Sequence, residues 1–404
     1  MDSRKDTRDT AAMPHYYGNR GTVLLTGATG FLGMELLARF LERTEKTLFA
    51  LIRGRDDEEA DARLMGAAGA VVRDPDRYRE RLVAVRGDVT LPDLGLSPER
   101  RASLAERVGE IVHSAASVSF TLPLDRARQI NVDGTERMLE LASMCQQHGG
   151  LRRFSYISTA YIAGSHRGEF GEDDYDVGQS FRNTYEQSKW EAEGVVRGHR
   201  RSLPLTIFRP SIVVGEEETG WTPAFNVIYA PLRAYSTGAY FAVPARRASP
   251  ADVVPASYVA DAVLELSQRD QAEGQTYNLA AGPSAHSVGE LIDMAANAFG
   301  RKRALSLPPW FYRRVVYPLM LRRSSGKRRR MLERTEVYFP YFSLRVSYDT
   351  SRARSHLAEA GIQVPHLSDY FHRLVMFAVA TDWGKRPLSR VDVARSDERV
   401  AVPA

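Results

Sequence analysis

Gly21-Thr-Val-Leu-Leu-Thr-Gly-Ala-Thr-Gly-Phe-Leu-Gly33 is the stretch of this chain that decides its fold. Its apolar residues 23–25 predict a short buried strand, and the residues from Phe31 to Phe40 repeat apolar side chains at helical spacing. Glycine allows the chain to turn sharply between them and lets backbone N–H groups approach a pyrophosphate. The helix adds free N–H donors and the positive end of its dipole. The stretch therefore predicts a dinucleotide-binding turn, formed by Gly27, Gly30 and Gly33.

The spacing of these glycines leaves a second interpretation open. Glycine at every third position departs from the G-x-G-x-x-G fingerprint, and a glycine-rich turn can join any strand to any helix. The rest of the chain has to decide between a plain turn and a nucleotide site.

Strands and helices alternate after this turn. Such alternation predicts a parallel sheet covered on both faces, which is the doubly wound, Rossmann-type α/β fold. An aromatic, proline-punctuated insertion at about 216–250 interrupts the rhythm and suits the substrate side of such a fold. The later predicted strands begin at Leu48, Arg81, Glu110, Phe154, Leu205 and Gln275.

We divide the chain into four parts on this pattern. Residues 21–282 are predicted to form the nucleotide-binding domain, and residues 283–384 a smaller, mostly helical substrate or lid region. Residues 1–20 are polar and lack the apolar core of a signal peptide, so they predict a disordered leader. The charged residues 385–404 predict a flexible tail.

Composition narrows the class of protein. The 404 residues are 43% hydrophobic and 26% charged, which suits a globular protein with one large or two closely joined domains. The single cysteine, Cys145, excludes an internal disulfide and a multi-cysteine metal site, and it fits a reducing compartment. No apolar run approaches the ~20 residues of a membrane span. We therefore expect a cytoplasmic protein.

The end of the second predicted strand indicates which cofactor binds. In a fold of this kind an acidic residue there would favour NAD, whereas a cation would accept the 2′-phosphate of NADP(H). Here the strand ends in Arg53, and Arg55 follows, which predicts NADP(H). The alternative is that both arginines are simply solvated. The fourth strand opens onto small residues, among them Ala115 and Ala116, whose backbone is able to lie against the nicotinamide half.

Tyr185 and Lys189 lie four residues apart on a predicted helix and hence on one face. A phenol titrates near ~10, and a nearby ammonium lowers that pKa by stabilising the phenolate. The fifth strand ends in the hydroxyls of Ser158 and Thr159, either of which is able to bond a substrate carbonyl. A lone Tyr-x-x-x-Lys pair is common on helix surfaces, but its order after the glycine turn and this strand favours acid–base catalysis.

Two further polar residues have competing interpretations. Asn131 either bridges backbone groups near the active site or is merely polar on a helix surface. His113 is better explained as a strand-end residue than as a ligand or base, and no His/Cys/Asp constellation has metal-ligand spacing.

Together these motifs resemble the extended short-chain dehydrogenase/reductases. Within them, the chain from about Gly21 to Gly282 resembles the thioester reductase and fatty acyl-CoA reductase ("male sterility") NAD(P)-binding domains, which are related to the reductase domain of carboxylic acid reductases. The C-terminal third departs most from that pattern. The motifs that carry the resemblance are Thr26-Gly-Ala-Thr-Gly-Phe-Leu-Gly33, His113-Ser-Ala-Ala-Ser117, Asn131-Val-Asp-Gly-Thr135, Ser158-Thr-Ala-Tyr161, Tyr185-Glu-Gln-Ser-Lys189 and Arg209-Pro-Ser-Ile212.

The resemblance implies roles for particular residues. Thr159, Tyr185 and Lys189 would be catalytic, with Ser158 as the adjacent alternative to Thr159. Asp88 and Val89 would flank the adenine ring, although a plain strand-ending turn explains them equally well. The implied cofactor-binding residues are Gly27, Thr29, Gly30, Phe31, Leu32, Gly33, Arg53, Arg55, Asp88, Val89, Ala115, Ala116, Tyr185, Lys189, Pro210 and Ile212.

The resemblance also implies a reaction. An NADPH-dependent reductase would convert a lipid-like acyl thioester, carried on coenzyme A or a carrier protein, to an aldehyde and then, with a second hydride, to an alcohol. A sugar-nucleotide epimerase or dehydratase, or a hydroxysteroid-type dehydrogenase, is the first alternative on the same scaffold. A non-catalytic NADP(H)-binding sensor is the second. We also expect a homodimer through two exposed helices.

Positive charge is concentrated in one segment. Residues 301–330 hold eleven Lys or Arg and no Asp or Glu, so of the net charge of +5 the remainder of the chain carries −6. This predicts a local partner: an anionic membrane surface, or an acidic carrier protein or coenzyme A phosphates. A lid helix over the acyl pocket, backed by a solvated basic loop, is the third interpretation. Nucleic acid is not expected because no recognised module accompanies the patch.

Overall fold

The structure is a computed structural model that describes residues 21–394. The predicted leader, residues 1–20, and the last part of the predicted tail, residues 395–404, lie outside the described residues. The strands are β1 Thr22–Thr26, β2 Thr47–Ile52, β3 Leu82–Arg86, β4 Glu110–His113, β5 Arg153–Ile157, β6 Gly168–Phe170, β7 Leu205–Pro210, β8 Ile212–Val214, β9 Ala242–Val243, β10 Pro250–Ala251, β11 Val253–Pro255, β12 Thr276–Leu279, β13 His286–Ser287, β14 Leu305–Ser306 and β15 Val346–Tyr348.

Helices occupy most of the segments between these strands. Residues Ala160–Ala163 after β5 and Glu336–Ser343 before β15 form 3₁₀ helices, and Tyr312–Val316 forms a π-helical turn. The α-helices are α1 Phe31–Arg43, α2 Asp57–Val71, α3 Pro98–Arg107, α4 Leu124–Asn131, α5 Asp133–His148, α6 Thr184–Gly198, α7 Tyr229–Ser236, α8 Ala256–Ser267, α9 Val288–Phe299, α10 Pro309–Phe311, α11 Tyr317–Arg322, α12 Gly326–Thr335, α13 Ser351–Ala358 and α14 Leu367–Ala380.

Seven strands form one parallel sheet in the order β12-β7-β5-β4-β1-β2-β3. Helices α1, α2 and α8 bury apolar side chains against one face, and α3, α5 and α6 against the other. This confirms the predicted doubly wound α/β fold. The strand order reverses between β1 and β4, and in open α/β sheets the crevice beyond such a point is where ligands bind.

The C-terminal helices are joined to the sheet domain by short strand pairs. β14 pairs in parallel with β9 of the aromatic insertion, β15 pairs in parallel with β6, and β13 pairs antiparallel to β10. A third apolar core, which includes residues of α7, α9, α11, α12 and α14, lies under this layer. Residues Gly168–Phe170, at the start of an acidic stretch, form a strand because β15 supplies a hydrogen-bonding partner for their backbone.

The expectation of a flexible tail is wrong for residues 385–394. The indole Nε1 of Trp221 donates to the carbonyl of Leu388 at 3.0 Å, and the Arg390 guanidinium pairs with Glu216 at 2.8 Å. The charged composition of the tail suggested solvation, but one of its charges has a buried partner in the insertion. In the part of the chain from 21 to 394, no helix has the length and apolar character needed to cross a bilayer.

Two helical glycines allow a direct test of the turn that starts α1. A Cβ at Gly33 would lie 1.9 Å from the carbonyl oxygen of Gly27, whereas a Cβ at the exposed Gly66 of α2 would meet nothing within 4 Å. We expect Gly33→Ala to lower the free energy of unfolding by about 1–3 kcal/mol through overpacking. Gly66→Ala should raise it by about 0.5–1 kcal/mol, because glycine weakens a helix interior. Urea unfolding followed by circular dichroism measures both, and equal stability of the two variants would contradict the close packing at Gly33.

Candidate active site

The glycine turn forms an open cradle at the carboxyl end of β1. Gly27 has a φ of +76°, and a Cβ there would lie 2.9 Å from the backbone nitrogen of Ala115. Gly30 occupies the N-cap of α1, where no side chain accepts from the first helical N–H groups. Uncapped N–H groups and the positive helix end form an anion site, so the residues present fit the diphosphate of a dinucleotide.

A chain of buried hydrogen bonds holds the turn against β4. The hydroxyl of Thr26 accepts from the backbone N–H of Ser114 at 3.2 Å and of Ala115 at 3.1 Å, and it donates to His113 Nδ1 at 2.7 Å. Thr135 accepts from His113 Nε2 at 3.2 Å, because its own proton goes to the carbonyl of Asn131 at 2.6 Å. All of these groups are satisfied when His113 is neutral.

His113 is therefore a structural residue at the end of its strand. Burial lowers its pKa to about 3, and the positive charge of Lys189 acts in the same direction. The interpretation of His113 as a strand-end residue rather than a ligand or base fits this geometry. Its hydrogen-bonded partners, Thr26 and Thr135, were missed, and the only sequence signal for them is their place inside two of the quoted motifs.

The two arginines predicted at the carboxyl end of β2 differ in their contacts. Arg53 is exposed, and no ion pair of its guanidinium is described within residues 21–394. Arg55 donates to Glu59 at 2.8 Å, one turn into α2. Arg63, which sequence reasoning missed, lies beside them and donates to the backbone carbonyl of Arg53 at 2.8 Å. A basic residue in the helix that follows β2 was the available signal.

Asp88 and Val89 follow β3, as predicted, but their contacts are local. The Asp88 carboxylate accepts from both the backbone N–H and the hydroxyl of Thr90 at 2.8 Å. Val89 is buried, and a Cβ added to Gly134 of α5 would lie 3.2 Å from it. The two residues thus form a strand-ending turn whose carboxylate remains partly exposed.

Asn131 bridges backbone groups, which is the first of the two interpretations given above. Its side-chain oxygen accepts from the N–H of Ser117 at 2.7 Å, and its amide donates to the carbonyl of Ser117 at 3.1 Å and to the hydroxyl of Ser188 at 2.9 Å. The loop that contains Ala115 and Ala116 is thereby fixed to α6, the helix that carries Tyr185 and Lys189.

The two hydroxyls at the end of β5 have different partners. Ser158 donates to the buried carboxylate of Glu193 at 2.6 Å. Thr159 donates to the carbonyl of Pro210 at 3.3 Å and accepts from the backbone N–H of Tyr161 at 3.2 Å, and it lies close enough to Tyr185 to lower the pKa of that phenol. Only Thr159 therefore faces the candidate acid, and Ser158 belongs to the buried network behind it.

Burial raises the pKa of Tyr185 to about 12, and the hydrogen bond with Thr159 opposes this increase. Lys189 is directed elsewhere, since its Nζ donates to the hydroxyl of Tyr156 and to the carbonyl of Ile157, both at 2.8 Å. Burial lowers the pKa of Lys189 to about 7, against the attraction of Glu193. The expected lowering of the Tyr185 pKa by Lys189 is therefore wrong for this structure. Tyr156, which sequence reasoning missed, is the partner of the ammonium.

Glu193 lies under this pair and keeps its charge. Burial alone would raise the pKa of Glu193, but the adjacent Arg209 guanidinium at 2.6 Å outweighs it and lowers the pKa to about 2. Arg197 adds a second contact at 2.9 Å. Such a buried charge is tolerated only when it is paired and hydrogen-bonded, so β7 and α6 are tied together beneath the site.

An aromatic wall joins Tyr185 to an apolar cavity. Phe120 stacks on Tyr185 with ring centroids 5.7 Å apart and on Tyr341 at 5.2 Å, and it meets Tyr338 edge-on at 5.7 Å. Tyr338 and Tyr341 line a cavity of about 40 Å³. A neighbouring cavity of about 60 Å³ shares five of its lining residues. These shared residues are Ile228, Pro231, Val288, Leu291 and Phe342.

The last two predicted cofactor residues lie on the substrate side of this wall. Pro210 offers its carbonyl to Thr159, and Ile212 lines the smaller cavity. In the described stretch 21–394, no group of three or more His, Cys, Asp or Glu side chains is arranged to hold a metal ion.

Comparison with known proteins identifies the family. The family model described as male sterility protein, an NAD-binding domain, matches residues 25–263. The chain is 31% identical to fatty acyl-CoA reductase wat of Drosophila melanogaster over 254 residues, which is 54% of this chain and 48% of that protein. It is 31% identical to a carboxylic acid reductase of Mycobacterium tuberculosis over 291 residues, which is 64% of this chain and 24% of that protein. The chain thus spans about half or less of the length of the curated relatives it matches.

A solved structure resembles almost the whole chain. The terminal R domain from the myxalamid PKS-NRPS biosynthetic pathway superposes with a TM-score of 0.78 at 27% identity, covering 93% of this chain and 95% of that one. The likeness includes the helical C-terminal region as well as the sheet. The chain therefore belongs to the male sterility protein family, within the extended short-chain dehydrogenase/reductases, and is an NAD(P)-dependent oxidoreductase.

Proposed function

We propose that the protein is an NADPH-dependent reductase of a lipid-like acyl thioester. The observation that carries this proposal is the placement of Tyr185, which is close to the Thr159 hydroxyl and stacks on Phe120 next to an apolar cavity. A hydroxyl after β5 next to a hydroxyl on α6 suits a polarised carbonyl, and an apolar cavity suits an aliphatic chain. Relatives named as fatty acyl-CoA and carboxylic acid reductases support a substrate of the acyl class.

The residues present fit an NADP(H) molecule. The turn from Gly27 to Gly33 offers backbone N–H groups to the diphosphate. Arg53, whose guanidinium has no ion pair described within residues 21–394, offers a cation to the 2′-phosphate. The loop through Ala115 and Ala116 is held close to Gly27 and would contact the nicotinamide half. When bound, this cofactor supplies the hydride.

The chain's own residues account for the proton and the charge. The hydroxyls of Thr159 and Tyr185 bind the carbonyl oxygen, and Tyr185 transfers its proton to that oxygen as negative charge develops. The carbon–sulfur bond of the resulting hemithioacetal then breaks, which releases an aldehyde and a free thiol. Lys189, one turn further along α6, would hold the ribose hydroxyls of the cofactor.

The alternatives fit the site less well. A sugar nucleotide would need charged or polar groups for its diphosphate and sugar, but the two cavities next to the aromatic wall are lined almost entirely by aliphatic and aromatic side chains. A non-catalytic sensor would have no use for the Thr159–Tyr185 pair. Both a coenzyme A thioester and a carrier-bound acyl group are compatible with the basic segment 301–330. The proposal also includes a cytoplasmic location and a homodimer.

Turnover of a thioester tests the reaction itself. We expect NADPH oxidation with long-chain acyl-CoA as well as with the matching aldehyde, each offered separately and followed by cofactor absorbance. Turnover of the aldehyde alone would reduce the activity to carbonyl reduction. NADPH binding without turnover of either compound would contradict the proposal.

The hydroxyl pair is tested by removing one hydroxyl at a time. We expect Tyr185→Phe to lower kcat by about 10²–10⁴-fold through loss of the general acid. Thr159→Val should lower kcat by about 10²–10³-fold through loss of one oxyanion donor. Steady-state kinetics measure both, and quenching of protein fluorescence by NADPH should show that the cofactor still binds. Tyr78→Phe, far along the chain from the site, is the matched control, and full activity of Tyr185→Phe would overturn the catalytic role.

Cofactor choice is tested at the end of β2. Since a hydrogen bond to a charged group contributes about 1.5–3 kcal/mol, Arg53→Ala should raise the KM for NADPH by about 10–100-fold and leave the KM for NADH unchanged. Arg55→Ala should have a smaller effect because Glu59 already pairs with that guanidinium. An equal response of both cofactors to Arg53→Ala would mean that this arginine is merely solvated.

A further inference from the structure

We propose that the helical run from Pro309 to Arg322 and its flanking residues form a docking surface for an anionic lipid membrane. This inference goes beyond the proposed reaction, because lipid binding does not require turnover. The lipid-docking surface is defined by four large apolar residues and four arginines. They are Leu305, Trp310, Val315 and Leu319 together with Arg313, Arg314, Arg322 and Arg323.

The apolar members of the lipid-docking surface are unusually exposed. Trp310 is 71% exposed, Leu305 61% and Leu319 47%. The same helical run also has a buried side, where Tyr312 and Tyr317 enter the third core. The exposed residues are therefore not needed for folding of the run, and they are free to enter the headgroup and upper acyl region of a bilayer, where tryptophan is favoured.

The charges of the surface favour an anionic partner. Arg303 pairs with Asp293, and Arg329 with Glu333. Across residues 21–394, by contrast, no ion pair is described for the four arginines of the surface, which are all exposed. Each basic residue near an anionic leaflet contributes about 1 kcal/mol, and the net charge of −6 on the chain outside residues 301–330 would orient this side toward the lipid.

A chain of aromatic side chains connects the helical run of this surface to the candidate active site. Tyr312 and Tyr317 pack on Phe339, with ring centroids 5.4 and 5.2 Å apart. Its neighbour Tyr338 meets Phe120, which stacks on Tyr185. A membrane bound to this surface would therefore lie beside the aromatic wall, where an aliphatic substrate chain would enter.

An acidic carrier protein is the competing partner for the same charge. Charge complementarity serves both partners, but exposed tryptophan, leucine and valine side chains between the arginines match a lipid interface, which has both an anionic and an apolar layer. The lipid partner accounts for both sets of residues and is therefore the one proposed.

Co-sedimentation of the full-length protein with vesicles tests the inference. We expect binding to vesicles of equal parts phosphatidylcholine and phosphatidylglycerol, little binding to phosphatidylcholine alone, and weaker binding at high salt. Trp310→Ser/Leu319→Ser, and separately Arg313→Gln/Arg314→Gln/Arg322→Gln/Arg323→Gln, should each weaken binding at least about tenfold. Met376→Ser/Val379→Ser on α14, whose side chains are similarly exposed, is the matched control and should bind as the unaltered protein does.

The readouts separate this inference from the proposed reaction. Turnover of a short, water-soluble aldehyde, which has no phosphate for the basic segment to bind, should be equal in all of these variants, and their thermal unfolding should match that of the unaltered protein. The inference is overturned if the protein does not co-sediment with anionic vesicles. It is equally overturned if the variants of the lipid-docking surface bind these vesicles as well as the α14 control variant does. It is also overturned if an acidic carrier protein binds to the surface while vesicles do not.

Discussion

The site depends on the hydroxyl of Thr26, which holds the glycine turn to the loop after β4. Thr26 lies at the end of β1, where the strand order reverses, and it accepts from the backbone N–H groups of Ser114 and Ala115. There is no space for a side chain between position 27 and Ala115. Because residue 27 is glycine, the turn and the loop after β4 are able to approach each other directly. The crevice that a dinucleotide requires is thus defined by backbone contact. Neutral His113 extends the same hydrogen-bonded chain to α5.

Helix α6, which carries the candidate residues Tyr185 and Lys189, is held by polar groups on several sides. Asn131 fixes Ser188 to the loop after β4, Lys189 donates to β5, and Glu193 pairs with Arg209 of β7. Each of these side chains is buried, so an unpaired one would be costly. The position of Tyr185 over Thr159 therefore follows from contacts made along the length of the helix.

The features that depend on local sequence patterns could be predicted from the sequence. Alternating strands and helices predicted the doubly wound sheet, and the glycine spacing predicted the turn, because both are set by backbone geometry. The division between Ser158 and Thr159 could not be predicted, since it depends on Glu193, 35 residues further along the chain. Tyr156 was missed because its partner, Lys189, is also distant in the sequence. The charged tail was misjudged because composition does not reveal that Glu216 is buried next to Arg390.

The pKa values of the two candidate residues determine which of them carries a proton at neutral pH. With its pKa raised to about 12, Tyr185 remains protonated at neutral pH and is ready to donate. Because the pKa of Lys189 is lowered to about 7, only part of the Lys189 population is charged at neutral pH. Its ammonium therefore does little to promote loss of the phenolic proton before the substrate binds. Negative charge that develops on a substrate oxygen beside them would favour the charged lysine and the release of the phenolic proton together. Burial thus keeps the acid neutral until the substrate itself supplies the charge.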